Sequence, residues 1–393
     1  MLKAKELQLK WLLLGNFIVS VGTSFMWPLT TVYMHDYLGK SLTTAGIVLF
    51  FNSLSLIIGS YLGGYIYDHK DARKWLLAAM LLASFSIFML IFFNGWPAYP
   101  IFLIIDNFGG GIASTIVNSL ATAVKGKDAR YVFNMMYFMA NIGVVIGTLL
   151  VGYVVDIKIE LIFVINFVLY MLFFLIALGH YFVPQHVLQA RKMQTKQAKL
   201  KTPRKHVVVI FAILGLYFAV GLAYSQWQSN LSVYMGQLGI ALHKYSFLWT
   251  INGIIIVTAQ PIISWCDDHF NVKIWYKLYF GGIMFAIAFA SLIIAKDYPH
   301  FILSMVLVTL AEVYTFPTIP AIVDELSSLG QKGRYQGFVR IASSLGSAVG
   351  PLFGGLLIDG FSYTVLFIVI SSLILIMFLG ILLAVKVNLK GNN

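Results

Sequence analysis

Apolar segments of membrane length run through almost the whole chain. Twelve stretches of about twenty residues, the length that spans the hydrocarbon core of a bilayer, can be placed along it. They lie near residues 11–33, 44–66, 75–94, 99–123, 131–155, 161–183, 207–232, 245–266, 274–295, 301–323, 335–358 and 363–385. Since every backbone N–H and C=O group must be bonded internally in lipid, such segments form helices. The sequence therefore predicts an all-α membrane protein with twelve transmembrane helices.

The composition excludes an ordinary soluble globule. Hydrophobic residues make up 60% of the 393 positions and charged residues only 11%. Soluble domains carry roughly 25% charged residues, so this chain lacks the polar surface needed to cover a water-facing fold. A single cysteine, Cys266, excludes an internal disulfide.

Basic residues alternate between the two sides of the predicted topology. Twenty-two Lys and Arg residues fall on one side and four on the other, namely Lys40, Lys158, Lys244 and Lys296. Positively charged connections stay in the cytoplasm, which places both termini on the cytoplasmic side of a plasma (inner) membrane. The net charge of +12 thus reflects topology rather than nucleic-acid binding. The first span is long and lacks a cleavage site, so we expect a retained helix rather than a signal peptide.

Two sets of residues recur at nearly the same offset across half the chain. The segment from Asp68-His69 to Trp75 returns two hundred residues later as Asp268-His269 to Trp275. The second set, at an offset of 203, pairs Gly143, Gly147, Gly152 and Asp156 with Gly346, Gly350, Gly355 and Asp359. A fixed-offset repeat of this kind indicates two similar halves. Six spans precede the repeat, so both halves enter the membrane in the same direction and are related by an axis along the membrane normal.

The domain organisation follows from this repeat. We predict an N-terminal six-helix bundle over residues 1–183, a basic cytoplasmic linker over 184–206, and a C-terminal six-helix bundle over 207–393.

Twelve spans in two parallel halves joined by a basic segment resemble the major facilitator superfamily. The stretch Gly64 to His69, followed by Arg73-Lys74, is similar to the glycine, acid and paired-basic loop motif of that family. The chain departs from the motif at Asp71, which occupies the usual second-glycine position, and the basic pair fits after a one-residue insertion. The resemblance implies the fold of that family, two six-helix bundles related by a pseudo-two-fold axis.

The same resemblance assigns a role to the charges of this loop. It implies a cytoplasmic gate formed by Asp68, Arg73, Lys74 and the repeat-related Asp268. An ordinary interfacial charge cluster that sets topology is the alternative interpretation.

A run of small residues lies in the eleventh span. It consists of Gly346, Gly350, Pro351, Gly354 and Gly355. The run resembles the glycine-proline motif that drug:proton antiporters of the superfamily carry in the fifth span, but here it occupies the repeat-related position. Small residues let helices approach closely, and a proline allows a bend. We therefore expect these residues to serve helix packing.

Glu312 lies near the middle of the tenth predicted span. A charged residue in the bilayer core costs roughly 2.5–3.5 kcal/mol on insertion scales, which makes it a functional candidate. The surrounding residues Thr309 to Pro317 resemble the tenth span of proton-coupled multidrug exporters, which implies that Glu312 binds protons and substrate. Removal from water favours the protonated form of a carboxyl group. One carboxyl can then hold a proton or a cationic compound in turn. The alternative is a carboxylate permanently paired with a neighbouring helix.

Asp106 is a second acid within a span, in the outer half of the fourth. Many antiporters of the superfamily carry an arginine at this position, so a standard arginine-based proton relay is in doubt. Asp106 is either a second proton site or a capping group near the outer mouth.

Polar and aromatic side chains within the spans are candidates for a substrate cavity. The candidates are Tyr137, Asn141, Tyr224, Gln226, Trp227, Trp249, Asn252 and Tyr314. Such a set suits amphipathic aromatic or cationic compounds through stacking and cation–π contacts. Aromatic residues are also common in lipid-facing positions, so Gln226 and Asn252, which are polar at depth, are the stronger candidates.

These features favour a proton-coupled secondary transporter that exports lipophilic or cationic compounds by alternating access. A proton-coupled importer of a small nutrient, such as a sugar or peptide, is the alternative on the same fold. A non-transporting scaffold or lipid translocase is a third class. The sequence contains no phosphate-binding glycine loop and no cysteine–histidine metal spacing, so we expect no enzymatic activity and no cofactor other than the coupling proton. The expected partners are a small-molecule substrate, protons and lipid, and we expect a monomer.

Overall fold

The computed structural model describes residues 7–121, 124, 129–182, 202–270, 273–328 and 332–389, and this part of the chain contains helices but no strand. Twelve long helices correspond to the twelve predicted spans. They are α1 Leu9–Val32, α2 Leu42–His69, α3 Ala72–Phe92, α4 Ala98–Ala121, α5 Ala129–Ile157, α6 Glu160–His180, α7 Arg204–Gln228, α8 Leu242–Phe270, α9 Ile274–Leu292, α10 Tyr298–Leu326, α11 Lys332–Gly360 and α12 Tyr363–Asn388. Within the described residues, each of these helices except α8 is long and apolar enough to cross a membrane. The all-α membrane architecture predicted from hydropathy is confirmed.

Polar side chains mark where several of these helices begin. The Asp71 carboxylate accepts a hydrogen bond from the backbone of Lys74 at the start of α3. The Asp297 carboxylate accepts one from the backbone of His300 at the start of α10. The Ser362 hydroxyl accepts one from the backbone of Val365 at the start of α12. Such caps satisfy backbone N–H groups that lack a partner within the helix. The helices therefore begin in the short polar connections between the apolar segments.

The chain divides into two compact units. The first comprises Met1–Tyr33 and Val48–Thr195, and the second comprises Met34–Ile47 and Lys196–Asn393. The predicted bundle of residues 1–183 included Met34–Ile47, which the structure groups with the second unit. The reason is close packing: a Cβ atom on Gly46 would lie 2.7 Å from the Pro351 carbonyl oxygen of α11. The Thr43 N–H also donates a 2.8 Å hydrogen bond to the Asp359 carboxylate.

In the first unit, α1 packs against α5 at two glycines. A Cβ atom on Gly143 would lie 2.8 Å from the backbone oxygen of Phe17, and one on Gly147 would lie 2.7 Å from that of Val21. The Ser24 hydroxyl also faces Gly147 and bonds the Val21 carbonyl at 2.8 Å. The two backbones are therefore closer than any side chain would allow.

In the second unit, α7 packs against α11 in the same way. A Cβ atom on Gly346 would strike the backbone of Phe218 and Leu222, and one on Gly350 would meet the Leu222 oxygen at 2.8 Å. Ser225 lies against Gly350 and bonds the Leu222 carbonyl at 2.8 Å. Each unit thus contains the same serine-on-glycine contact, at positions that the sequence repeat aligns.

Helix α7 is interrupted at Ser229, whereas the sequence predicts one span over 207–232. The Ser229 backbone (φ −127°, ψ −79°) is not helical, and a short helix, Asn230–Gln237, follows. Serine hydroxyls bond backbone carbonyls on both sides of the break, Ser229 to Ser225 at 2.7 Å and Ser232 to Ser229 at 2.6 Å. Serine side chains compete with the helical backbone in this way.

Candidate functional site

Glu312 is the central residue of α10, with fourteen residues on either side. A helix of this length extends about 43 Å, so the carboxyl lies about 20 Å from each helix end. The side chain is 8% exposed. The structure therefore holds an acidic group at membrane depth.

Two neutral side chains bond one oxygen of this carboxyl. The Tyr224 hydroxyl of α7 donates to Oε2 at 3.1 Å, and Asn252 Nδ2 of α8 donates to the same atom at 3.0 Å. Asn252 Nδ2 also lies 3.0 Å from Thr309 Oγ1, one turn away on α10. Among the described residues, Oε1 of Glu312 accepts no hydrogen bond. The carboxyl is held in place through one oxygen, and its second oxygen can take a ligand.

Aromatic rings surround the group. Tyr224 meets Trp249 of α8 edge to face at 5.7 Å between ring centroids, and Phe316 of α10 at 5.6 Å. Tyr217, two turns before Tyr224 on α7, packs on Phe316 at 5.9 Å. Ring faces attract cations, and the attraction grows as water is excluded.

In the part of the chain that the structure describes, Glu312 has no basic ion-pair partner. The ion pairs between described residues are Lys74–Asp71 and His300–Asp297, and neither involves Glu312. A buried carboxylate with neutral donors alone gains by taking up a proton or a cation. We call Glu312, Tyr224, Asn252, Thr309, Trp249, Phe316 and Tyr217 the Glu312 site.

Two predicted cavity residues lie in helix packing instead. Gln226 is fully buried, and its Nε2 bonds the Gly350 carbonyl of α11 at 2.7 Å and the Leu222 carbonyl at 3.1 Å. Trp227 is also fully buried, and its carbonyl accepts from the Tyr245 hydroxyl. Tyr224 and Gln226 lie on different faces of α7. Tyr224 bonds Glu312, whereas Gln226 bonds the backbone of α11.

The remaining cavity candidates lie on another face of α10 or in the first unit. Tyr314, two residues after Glu312, points to another face of α10 and packs on Phe280 of α9 at 5.0 Å. In the first unit, Asn141 bonds the Tyr137 carbonyl one turn earlier on α5, at 2.8 Å. Tyr137 is 55% exposed.

Asp106 lies in the first unit, on α4, and is 7% exposed. The Tyr170 side chain of α6 lies beside it. Its Oδ1 atom has no partner among the described residues. Asp106 is the ninth residue of α4 and is buried within that helix; both of its proposed roles, proton site and capping group, stay predictions.

The predicted gate residues of the first loop bond within the first unit. Arg73 donates from Nη2 to the Leu178 carbonyl near the end of α6 at 2.6 Å, and its guanidinium lies 4.0 Å from the Phe182 ring centroid. Lys74 lies 3.7 Å from Asp71, with 84% of its side chain exposed. The side chains of Asp68 and Asp268, at the ends of α2 and α8, lie outside the described part of the structure. The gate itself stays a prediction.

The small residues predicted for helix packing do lie in helix contacts. Gly346 and Gly350 face α7, and Gly354 faces Gln226 and Asn230. Gly355 faces Leu42 at the start of α2, and the Pro351 carbonyl lies 3.5 Å from Asn230 Nδ2.

Sequence reasoning missed Thr309, Phe316 and Tyr170. Thr309 and Phe316 fall three residues before and four after Glu312, the spacings that share a helix face. This spacing from Glu312 is the sequence pattern that could have identified both residues as its neighbours. Tyr170 lies 64 positions from Asp106, and no local pattern joins the two.

The described helices are of membrane length, they form two units, and acidic side chains are buried among them. This combination is typical of a multi-pass membrane transporter. Comparison with known proteins gives the family: residues 12–325 and 230–392 match the Major Facilitator Superfamily. The chain therefore belongs to the Major Facilitator Superfamily. It is a secondary transporter of that superfamily, with a role in transport rather than catalysis.

Sequence relatives carry transporter names. The chain is 36% identical over 371 residues to the uncharacterized MFS-type transporter YttB of Bacillus subtilis (strain 168), covering 94% of this chain and 92% of the relative. It is 21% identical over 363 residues to the multidrug resistance protein MdtH of Escherichia coli (strain K12 / DH10B), covering 91% and 88%.

Solved structures share the fold at low identity. The nucleoside transporter NupG matches with a TM-score of 0.79 at 14% identity, over 96% of this chain and 99% of that one. A POT family transporter in complex with 5-aminolevulinic acid matches with a TM-score of 0.79 at 15% identity, over 98% and 96%. These likenesses establish the fold alone.

Proposed function

We propose that the protein exports lipophilic monovalent cations in exchange for protons, and that Glu312 binds each in turn. The observation that carries the proposal is the free oxygen of a buried carboxyl whose hydrogen-bond partners, Tyr224 and Asn252, are both neutral. A cation would bind at this oxygen against the rings of Tyr224 and Trp249. A proton would bind at the same oxygen once the cation has left.

The exchange couples the two fluxes because the two ligands compete for one carboxyl. Protonation neutralises Glu312, removes the attraction for the cation and releases it. The loss of the proton restores the charge and the affinity. Strict exchange further requires that the protein changes conformation only when the carboxyl holds a proton or a cation, so that each ligand must shift the conformational equilibrium.

The relatives named multidrug resistance protein MdtH support export of such compounds. The structural neighbours, a nucleoside transporter and a POT family transporter in complex with 5-aminolevulinic acid, share the fold only. The rings of the Glu312 site suit a lipophilic cation better than a sugar or a peptide.

The test is proton-driven efflux of ethidium by purified protein in proteoliposomes. We expect Glu312→Gln, which keeps the shape and removes the charge, to abolish efflux driven by a pH gradient. Glu325→Gln is the matched control, because Glu325 lies exposed on the same helix. It should retain wild-type efflux. Wild-type efflux by Glu312→Gln, with normal thermal stability of both variants, contradicts the proposal.

A further inference from the structure

A cavity of about 190 Å³ lies inside the first unit, between α1, α3, α4 and α6. Polar side chains from three helices line it: Asn16 of α1, Ser114 and Asn118 of α4, and Tyr170 of α6. This volume admits several water molecules, and the polar groups offer them partners. The cavity is separate from the Glu312 site, which consists of residues of the second unit.

Polar groups without partners lie just beyond one end of this cavity. Asp106 is one helical turn from the lining residue Gly110, and Asn166 is one turn from the lining residue Tyr170. Among the described residues, Asp106 Oδ1 and both polar atoms of the fully buried Asn166 side chain have no hydrogen-bond partner. Buried polar atoms in native proteins are nearly always satisfied, and an exception points to bound water or an ion.

The cavity follows the face of α4 that also carries Asp106. Asp106, Gly110, Ser114 and Asn118 follow at intervals of four residues, the spacing that aligns side chains on one helix face. From Asp106 to Asn118 the rise is about 18 Å. By the charge distribution of the loops, the Asn118 end of α4 is its cytoplasmic end. The stripe therefore leads from the buried acid toward the cytoplasm.

Among the described side chains, Asp106 has no basic ion-pair partner. Tyr170 of α6 is a titratable side chain beside this carboxyl. At this part of α4, the neighbouring helices contribute Ser55 and Gly59 of α2 and Ala83 of α3, none of which is titratable. No ion pair between described residues involves Asp106.

We propose that Asp106 is a second proton-binding site, and that the water-filled cavity along α4 exchanges its proton with the cytoplasm. This inference rests on the proposed proton-coupled export. One proton displaces the substrate at Glu312, and a second crosses with each cycle on Asp106. Two protons then enter for each monovalent cation that leaves. One net positive charge enters the cell per cycle, so the membrane potential drives transport.

The decisive experiment compares two driving forces in proteoliposomes containing ethidium. Wild-type protein should transport ethidium under a potassium–valinomycin potential at equal pH, and also under a pH gradient alone. Asp106→Asn should keep transport under the pH gradient and lose the response to the potential, because one proton for one cation is electroneutral. Asp297→Asn, a change at the exposed cap of α10, is the matched control and should behave as wild type.

Three outcomes overturn the second site. They are a wild-type protein driven by the pH gradient but insensitive to the potential, an Asp106→Asn variant that keeps the wild-type response to the potential, and a folded Asp106→Asn variant that loses both modes. Absence of any proton-driven transport by wild-type protein instead contradicts the proposed function itself. An infrared difference spectrum gives a readout independent of transport: the protonated-carboxyl band that disappears in Asp106→Asn must respond to pH, and a pH-invariant band overturns the proposal.

The route is tested separately by labelling. In a Cys266→Ser background, Ser114→Cys and Asn118→Cys should react with a membrane-impermeant thiol reagent in inside-out vesicles and stay unreacted in intact cells. Labelling from the outside, or from neither side, contradicts a cytoplasmic path. Glu312→Gln should leave this labelling pattern unchanged, which separates the path from the export site.

Discussion

At the scale of single residues, the proposed function predicts that Tyr224 affects how strongly Glu312 holds a cation. Its hydroxyl bonds the carboxylate, while its ring forms part of the aromatic wall. Because this hydrogen bond stabilises the charged form that pairs with the substrate, its loss weakens cation binding. A hydrogen bond to a charged group contributes about 1.5–3 kcal/mol, which corresponds to about a tenfold change or more in affinity.

We therefore expect Tyr224→Phe to bind tetraphenylphosphonium at least about tenfold more weakly by isothermal titration calorimetry. Tyr314→Phe is the matched control, since Tyr314 lies on another face of α10 against Phe280. Equal affinities in the two variants would show that the Tyr224 hydroxyl makes no contribution to binding.

Arg73 shows how a motif residue acquires a partner that no sequence pattern reveals. Its guanidinium bonds the Leu178 carbonyl, one of the last carbonyls of α6, which lack partners within the helix. The sequence predicts a charge cluster at this loop. The partner comes from a helix more than one hundred positions away.

At the scale of helices, backbone contact at glycine holds each pair of helices together. Gly346 of α11 faces the backbone of Phe218 and Leu222 in α7, which cannot move aside as a side chain can. An added methyl group must therefore push the two helices apart. Forcing extra atoms into a packed interior costs about 1–3 kcal/mol.

We expect Gly346→Ala to lower the melting temperature of the purified protein in detergent. Gly337→Ala is the control on the same helix, where an added Cβ meets nothing within 4 Å. That control should be neutral or slightly stabilising, because alanine favours a helix over glycine. A Gly346→Ala protein as stable as Gly337→Ala would rule out the close contact.

The repeat in the sequence predicts these contacts only in part. The aligned glycines indicate equivalent positions in the two halves, and the structure contains the same serine-on-glycine contact in each unit. The serines themselves, Ser24 and Ser225, carry no marker in the sequence. The sequence does not predict the helix break at Ser229 either, since no proline or glycine lies at that position.

At the scale of the whole molecule, the loop charges predict the orientation in the membrane. In a Cys266→Ser background, Lys158→Cys and Lys244→Cys should react with an impermeant maleimide in intact cells. Lys70→Cys and Lys273→Cys, the same change on the opposite side, should react only after permeabilisation. All four positions are exposed. Labelling of the second pair in intact cells would invert the predicted topology.

The number of spans and the presence of acids inside them followed from the sequence alone. Hydropathy, charge and fixed-offset repeats are properties of the sequence itself, so they can be identified without knowledge of the fold. Glu312 was identifiable because a carboxyl in an apolar helix is costly wherever its neighbours lie.

Only the tertiary structure decided which side chains meet these acids. Asn252 and Gln226 look alike in the sequence, as polar residues deep in a span. The rotation of α8 brings Asn252 to Glu312, while the rotation of α7 turns Gln226 toward α11. Tyr170, from a helix distant in the chain, lies beside Asp106 and also lines the cavity next to it. Partners such as these depend on how helices pack side by side, and a linear pattern of apolar and charged residues does not encode that rotation.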